Sequence, residues 1–230
     1  MTTTANILSP ARWKPFAGLA DAVCRRAFSS PEAFLYEVTI AHALADVVTP
    51  ELAKHSRGHV LDVGAGGGTV AARLVLDHEL TVVALDPSAA QVRRAKRLAV
   101  RVPGLSACSG SAETLPFEDA SFDSVVSSCA WKHWPNPAIG VKECLRVLRP
   151  GGTLAIIEID GTVTPEAFWG FAKRSRVPFG MKHAYLRFAM RTVVGVAPSP
   201  SELAASFGDF PVATSSLKNA PFTIAVATRN

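Results

Sequence analysis

A short apolar run, His59–Val63, carries an acid at Asp62 and leads into glycines at 64, 66 and 68, after which a helical pattern starts at once. No other feature limits the fold so tightly. Glycine adopts backbone angles closed to other residues and lets a ligand lie against the main chain. The helix that follows presents unpaired N–H groups and partial positive charge at its N-terminus. A strand, a tight turn and a helix in this order belong to an open α/β sheet. Ligands of such sheets sit beyond the carboxyl ends of the strands, where strand order reverses.

The rest of the middle keeps the same rhythm. Gly68–Leu76 has apolar residues at 70, 71, 74 and 75, which is helical spacing, and Thr81–Leu85 is a β-branched run ending at Asp86. Ser88 and Gln91 have the spacing of a capping box, so a helix is expected from there to Pro103-Gly104. Leu105–Cys108 and Phe122–Ser128 read as strands. Asn136-Pro137 supplies an N-cap and a first-turn proline for a helix that Arg149-Pro150-Gly151-Gly152 should stop. Thr153–Ile159 is nearly all apolar, as in a strand covered on both faces. Pro211–Ser216 and Phe222–Thr228 are β-like runs joined by a short link, an antiparallel hairpin. Seven strands and alternating helices predict a doubly wound α/β sheet, mostly parallel, with an antiparallel C-terminal hairpin.

The 230 residues suit a single domain, and 48% of them are hydrophobic, enough for a substantial core. Residues 1–55 are expected to form an N-terminal helical cap punctuated by Pro31 and Pro50, and residues 162–209 a second cap or lid. No apolar run is long enough for a membrane span, and the first residues lack the pattern of a signal peptide. Cys24, Cys108, Cys129 and Cys144 match no zinc or disulfide spacing, so no metal site is expected and the cytoplasm is the plain compartment.

The glycine turn alone leaves two ligands open. A dinucleotide site has the pattern GxGxxG, which counted from Gly64 would need glycine at 69, where this chain has Thr69. Asp62, two residues before the first glycine, better suits a ligand carrying an ammonium group. Asp86 lies about twenty residues past the turn, where a carboxylate can accept hydrogen bonds from both ribose hydroxyls. Adenosyl and nicotinamide ligands share that ribose.

Two further segments narrow the choice: Gly110–Asp123 (GSAETLPFEDASFD) before the fourth strand and Leu145–Gly152 (LRVLRPGG) before the fifth. With VLDVGAGGG and ALDPS they form an ordered set over about residues 58–160 that resembles the class I S-adenosylmethionine-dependent methyltransferases. The branch it is most similar to is the small-molecule group that includes quinone-biosynthesis C-methyltransferases. The resemblance implies a Rossmann-like methyltransferase fold and S-adenosyl-L-methionine as cofactor. It places Gly64, Ala65 and Gly66 along the methionine part with Asp62 nearby. Asp86 would hold the ribose, Pro87 would border the adenine, and Ser111 and Ala112 would meet the adenine edge. The carbonyl near Cys129 would face the methionine ammonium. Many relatives have an acid where this chain has Ser111, whose neutral contact should be weaker.

The implied reaction is methyl transfer to a small acceptor, apolar and perhaps acidic. Such an in-line displacement asks the protein chiefly to align the acceptor and exclude water. His133, in the loop after the fourth strand between Trp131 and Trp134, is the candidate base, and a packed loop histidine is the plainer alternative. His183 and Tyr185 are reserve candidates. Rival readings are an NAD(P)-binding oxidoreductase and a non-catalytic regulatory protein that binds the same cofactor.

Of 24 bases and 19 acids, six bases and one acid fall between Thr164 and Gly195, so the net +5 of the chain is local to that segment. Within it, 168–191 interleaves aromatics with bases. That stretch suits a lid over an apolar acceptor bearing an acidic group, a solvated amphipathic helical cap, peripheral contact with an anionic membrane, or RNA binding through stacking and phosphate contacts. With no separate RNA-binding domain, nucleic acid is not an expected partner. The oligomeric state is not legible.

Overall fold

The seven strands form one sheet in the order β3-β2-β1-β4-β5-β7-β6. The computed structural model describes residues 40–230 apart from Arg176 and Asn219, so the readings for residues 1–39, with Pro31 and Cys24, lie outside the described residues. The strands are β1 (His59–Val63), β2 (Thr81–Asp86), β3 (Leu105–Ser109), β4 (Phe122–Ser128), β5 (Leu148–Ile159), β6 (Ala213–Ser216) and β7 (Phe222–Thr228). The first five pair in parallel, and β7 runs antiparallel to both β5 and β6. The doubly wound, mostly parallel sheet with its antiparallel end is therefore as the sequence predicts. The order reverses between β1 and β4, which opens a crevice at their carboxyl ends.

Helices α1 (His42–Ala53), α2 (Thr69–His78), α3 (Ala89–Ala99), α4 (Pro137–Val147), α5 (Pro165–Ala172), α6 (Lys182–Thr192) and α7 (Pro200–Ala205) flank the sheet. Successive residues of a strand point to opposite faces, and here each face has its own core. Val60, Val82, Ala84, Val126 and Ile157 pack with Leu44, Val48 and Leu52 of α1 and Leu74 of α2. Leu61, Val63, Val125 and Ile156 pack on the other face with Val141, Cys144 and Val147 of α4 and Leu203 of α7.

Local signals set most boundaries. Ser88 caps α3 by accepting from the Gln91 N–H at 3.5 Å, and Asn136 caps α4 by accepting from the Ile139 N–H at 3.2 Å. Two expectations need correction. Arg149–Gly152 does not lie between a helix and a later strand: β5 begins at Leu148, which pairs with Phe122, and the register then shifts so that Ser124 meets Thr153. The shifted stretch is held from outside the segment, by the Gly151 N–H on the Arg229 carbonyl at 2.6 Å and the Arg229 N–H on the Gly152 carbonyl at 2.9 Å. Pro50 does not end α1, which continues through it to Ala53. Proline there forfeits one backbone hydrogen bond, and the buried Leu44, Val48 and Leu52 outweigh that loss.

The segment 162–209 packs closely onto the sheet. Phe168, Phe171, Leu186, Ala189 and Met190 join the core, and Phe171 meets Phe222 edge-to-face at 5.2 Å. Among the described residues no helix is long and apolar enough to cross a membrane.

Candidate functional site

The carboxyl end of β1 turns sharply because its glycines allow it. Gly64 has φ +77°, and a Cβ there would overlap the Cβ of Ala130 in the loop after β4, so the two loops meet only if this residue is glycine. The turn is tied to β2, since the N–H groups of Gly64 and Ala65 both donate to the Leu85 carbonyl, at 2.8 and 3.0 Å. Behind it, the buried Ser127 hydroxyl of β4 donates to the Val63 carbonyl at 2.8 Å. Gly66 differs from Gly64: with φ +55°, a Cβ there would meet only Gln91 Nε2, at 3.9 Å, leaving open space against the main chain.

That space is a cavity of about 710 Å³ at the switch between β1 and β4. Its wall includes Gly64, Ala65, Gly66, Asp86, Pro87, Ser111, Ala112, Cys129 and His133, so nine of the ten sequence-predicted site residues come together. Asp62 is the tenth. It is not on the wall but fully buried beside it, with neither carboxylate oxygen hydrogen-bonded. Burial, with the nearby Asp86 carboxylate adding, pushes its pKa up to about 7. A buried carboxylate lacking partners is costly and asks for a cationic or hydrogen-donating group.

Asp86 is firmly placed. Its Oδ2 accepts from the Gly66 N–H at 2.9 Å and its Oδ1 from the Ser88 N–H at 2.8 Å. A carboxylate has lone pairs for about two more donors, enough for a diol. Burial raises the Asp86 pKa, and the Ser88 and Gly66 N–H groups oppose that rise.

On the opposite wall, the Ser111 hydroxyl donates to Glu113, which also accepts the Asn136 N–H at 3.1 Å. An acid therefore stands two residues beyond the position where relatives were expected to carry one. Cys129, also on the wall, has φ +53°. Burial pushes its thiol up to about 12, with Glu158 adding and Lys132 opposing, so it stays protonated near neutral pH.

Sequence reasoning missed Ala41, which precedes α1, Leu44 of α1, and Thr69, Gln91, Arg93 and Glu113, all on the wall. Glu113 lies inside the quoted GSAETLPFEDASFD stretch and was within reach of the spacing; α1 comes to the cavity only through tertiary packing. The two tryptophans of the loop separate. Trp134 is on the wall, whereas the Trp131 indole N–H is turned to the Ser206 hydroxyl of α7 at 3.1 Å. Of the reserve bases, His183 is exposed and stacked on Trp169 at 4.6 Å, and Tyr185 is held protonated by burial; neither is on the described wall.

Fold and site together define an α/β domain with a crevice at its topological switch. Residues 61–156 match the family model described as a methyltransferase domain. An uncharacterized methyltransferase of Mycobacterium tuberculosis is 43% identical over 98 residues, which is 43% of this chain and 38% of the relative. A demethylmenaquinone methyltransferase of Beutenbergia cavernae is 41% identical over 117 residues, 49% of this chain and 46% of the relative. The matched region thus spans less than half the length of these relatives. A solved methyltransferase from Aquifex aeolicus superposes with a TM-score of 0.59 at 16% identity, over 91% of this chain and 98% of that one, which shows a shared fold. Residues 61–156 are thus similar in sequence to methyltransferase domains, and the fold as a whole is shared with a solved methyltransferase.

Proposed function

We propose that this chain transfers a methyl group from S-adenosyl-L-methionine to a small, apolar acceptor. One observation carries the reading: the buried, unpartnered carboxylate of Asp62 lies beside a glycine turn whose neighbouring carboxylate, Asp86, is held by two backbone N–H groups with lone pairs left over. A nicotinamide dinucleotide explains Asp86 but gives Asp62 nothing to do. The residues fit the adenosyl donor. Gly64, Ala65 and Gly66 would run along its methionine part, with Asp62 below. Asp86 would take the ribose hydroxyls, Pro87 the adenine face, Ser111 and Ala112 the adenine edge, and the Cys129 carbonyl the ammonium.

When bound, that cofactor supplies a methyl group already activated on a sulfonium. The protein's own part is then to hold the acceptor in line and keep water out. Trp134 and Leu44 give the wall apolar surface for this. His133 stands where it could take a proton from an acceptor hydroxyl as the bond to carbon or oxygen forms.

Two observations favour an apolar acceptor over an anionic one. Of the described bases of the cap, Lys173, Arg174, Arg187 and Arg191 are exposed, Lys182 is half-buried with its Nζ on the Lys173 carbonyl, and none is on the described wall, where Arg93 stands instead. The demethylmenaquinone methyltransferase of B. cavernae is named for a quinone, which suits such a pocket. The outward bases fit peripheral contact with an anionic membrane. Binding to anionic but not neutral vesicles, lost on combining Arg174→Glu with Arg187→Glu, tests that contact. Transfer of labelled methyl from S-adenosylmethionine to a panel of apolar hydroquinones and phenols tests the activity. Incorporation into at least one supports it, and none across the panel opposes it.

A further inference from the structure

The mechanism above leaves one buried ion pair without a task. Lys132 and Glu158 lie 26 residues apart, their side chains 5% and 0% exposed, with Lys132 Nζ 2.6 Å from Glu158 Oε1. Two charges are taken out of water here, which stability alone seldom rewards. Their hydrogen bonds are directed. Glu158 Oε1 also accepts the Ile159 N–H at 2.9 Å, and Oε2 accepts the Lys132 N–H at 3.3 Å. Lys132 Nζ in turn donates to the Cys129 carbonyl at 2.9 Å.

Cys129 sits on the cavity wall in the left-handed region, a conformation a non-glycine residue keeps only if its surroundings impose it. The two ends of the residue are pinned. Its N–H donates to the Ile157 carbonyl of β5 at 2.8 Å, and its carbonyl is held by Lys132. An ammonium next to a carbonyl meant for a second ammonium would repel it, unless an anion cancels the first charge. Glu158 does so.

We infer that Lys132 and Glu158 are positioning residues: the lysine aims the Cys129 carbonyl into the cavity, and the glutamate neutralises the lysine so that a ligand's ammonium can share that oxygen. The inference rests on the reading that the Cys129 carbonyl receives the amino group of the donor. It separates ligands by their amino-acid end: S-adenosylhomocysteine carries the ammonium and its carboxylate, whereas 5′-methylthioadenosine keeps only the nucleoside and thioether.

Calorimetry with both ligands tests this on the whole chain, using wild type, Lys132→Met and the nearly isosteric Glu158→Gln, with circular dichroism to check folding. Both variants are expected to bind S-adenosylhomocysteine about tenfold or more weakly and to hold 5′-methylthioadenosine within about twofold of wild type. If Lys132→Met does not fold, Glu158→Gln decides. Equal weakening of both ligands would mark a merely structural pair, and unchanged binding of both would leave it no role; either result overturns the inference while the donor reading stands. Wild type that binds neither ligand overturns the donor reading and the inference with it.

Discussion

The Asp86 carboxylate accepts the Gly66 N–H at 2.9 Å, which ties the end of β2 to the turn after β1, with a second carboxylate, Asp62, buried next to them. Replacing Asp86 removes the ligand's partner and unties the turn. Asp86→Ala is expected to weaken S-adenosylhomocysteine binding by about 1.5–3 kcal/mol, or about 10- to 150-fold. Calorimetric affinity within error of wild type would contradict the ribose assignment.

Asp62 makes binding depend on pH. Its carboxyl is raised from the ordinary range to about 7 in the ligand-free fold, so below that pH it holds a proton that the unfolded chain would release above about 4. The stability this contributes is fully present below about pH 4 and is lost as pH rises through about 7. An ammonium ligand favours the charged carboxylate, so affinity for S-adenosylhomocysteine should climb between pH 6 and pH 8, by up to about tenfold per unit below pH 7, with proton release on binding. Asp62→Asn should flatten the profile and raise the melting temperature of the free protein at pH 8. A wild-type profile that is flat over this range would show that Asp62 is not linked to the ligand.

His133 is on the cavity wall. As a base, its replacement by alanine should lower turnover about 10²–10⁴-fold while the donor affinity stays put. A loss under about tenfold would make it a packing residue of the loop.

The elements legible in the sequence were those signalled locally. Runs such as His59–Val63, Phe122–Ser128 and Phe222–Thr228 were bounded to the residue, because apolar side chains cease where the turn residues begin. The nine wall residues were legible mainly through the family resemblance, and they lie at the carboxyl ends of β1 to β4 or in the loops that follow. What was illegible depends on partners far along the chain. Arg149–Gly152 reads as a helix stop until Arg229 supplies its backbone bonds, 78 residues from Gly151. Lys132 and Glu158 show no periodicity that would pair them. Leu44 looks like any apolar helix residue until α1 settles against α2 and the cavity.

Arg146, within LRVLRPGG, gives that stretch a second structural meaning. Its guanidinium donates to Glu143 at 2.7 and 2.9 Å, to the Phe117 and Leu115 carbonyls at 2.9 and 3.2 Å, and to Asp119 at 2.7 Å. It thereby clamps the segment after Ser111 to α4. The exposed Asp119 contact adds little. The two carbonyl bonds should make Arg146→Ala cost about 1–3 kcal/mol in urea unfolding. No change in the unfolding midpoint would mean the clamp is solvated away.

Gly64→Ala should cost about 1–3 kcal/mol through its positive φ, and more through overlap with Ala130. Adding Ala130→Gly should recover the overlap and leave the backbone cost, a coupling that a double-mutant cycle reads directly. Additive effects would place the strain elsewhere.

Thermal unfolding with S-adenosylhomocysteine set against NADH reads the ligand class of the crevice most directly. At 100 times its dissociation constant, S-adenosylhomocysteine should stabilise the protein by about 2.7 kcal/mol, and NADH should leave the transition where it was. Protection by NADH without protection by S-adenosylhomocysteine would contradict the adenosyl-donor assignment outright.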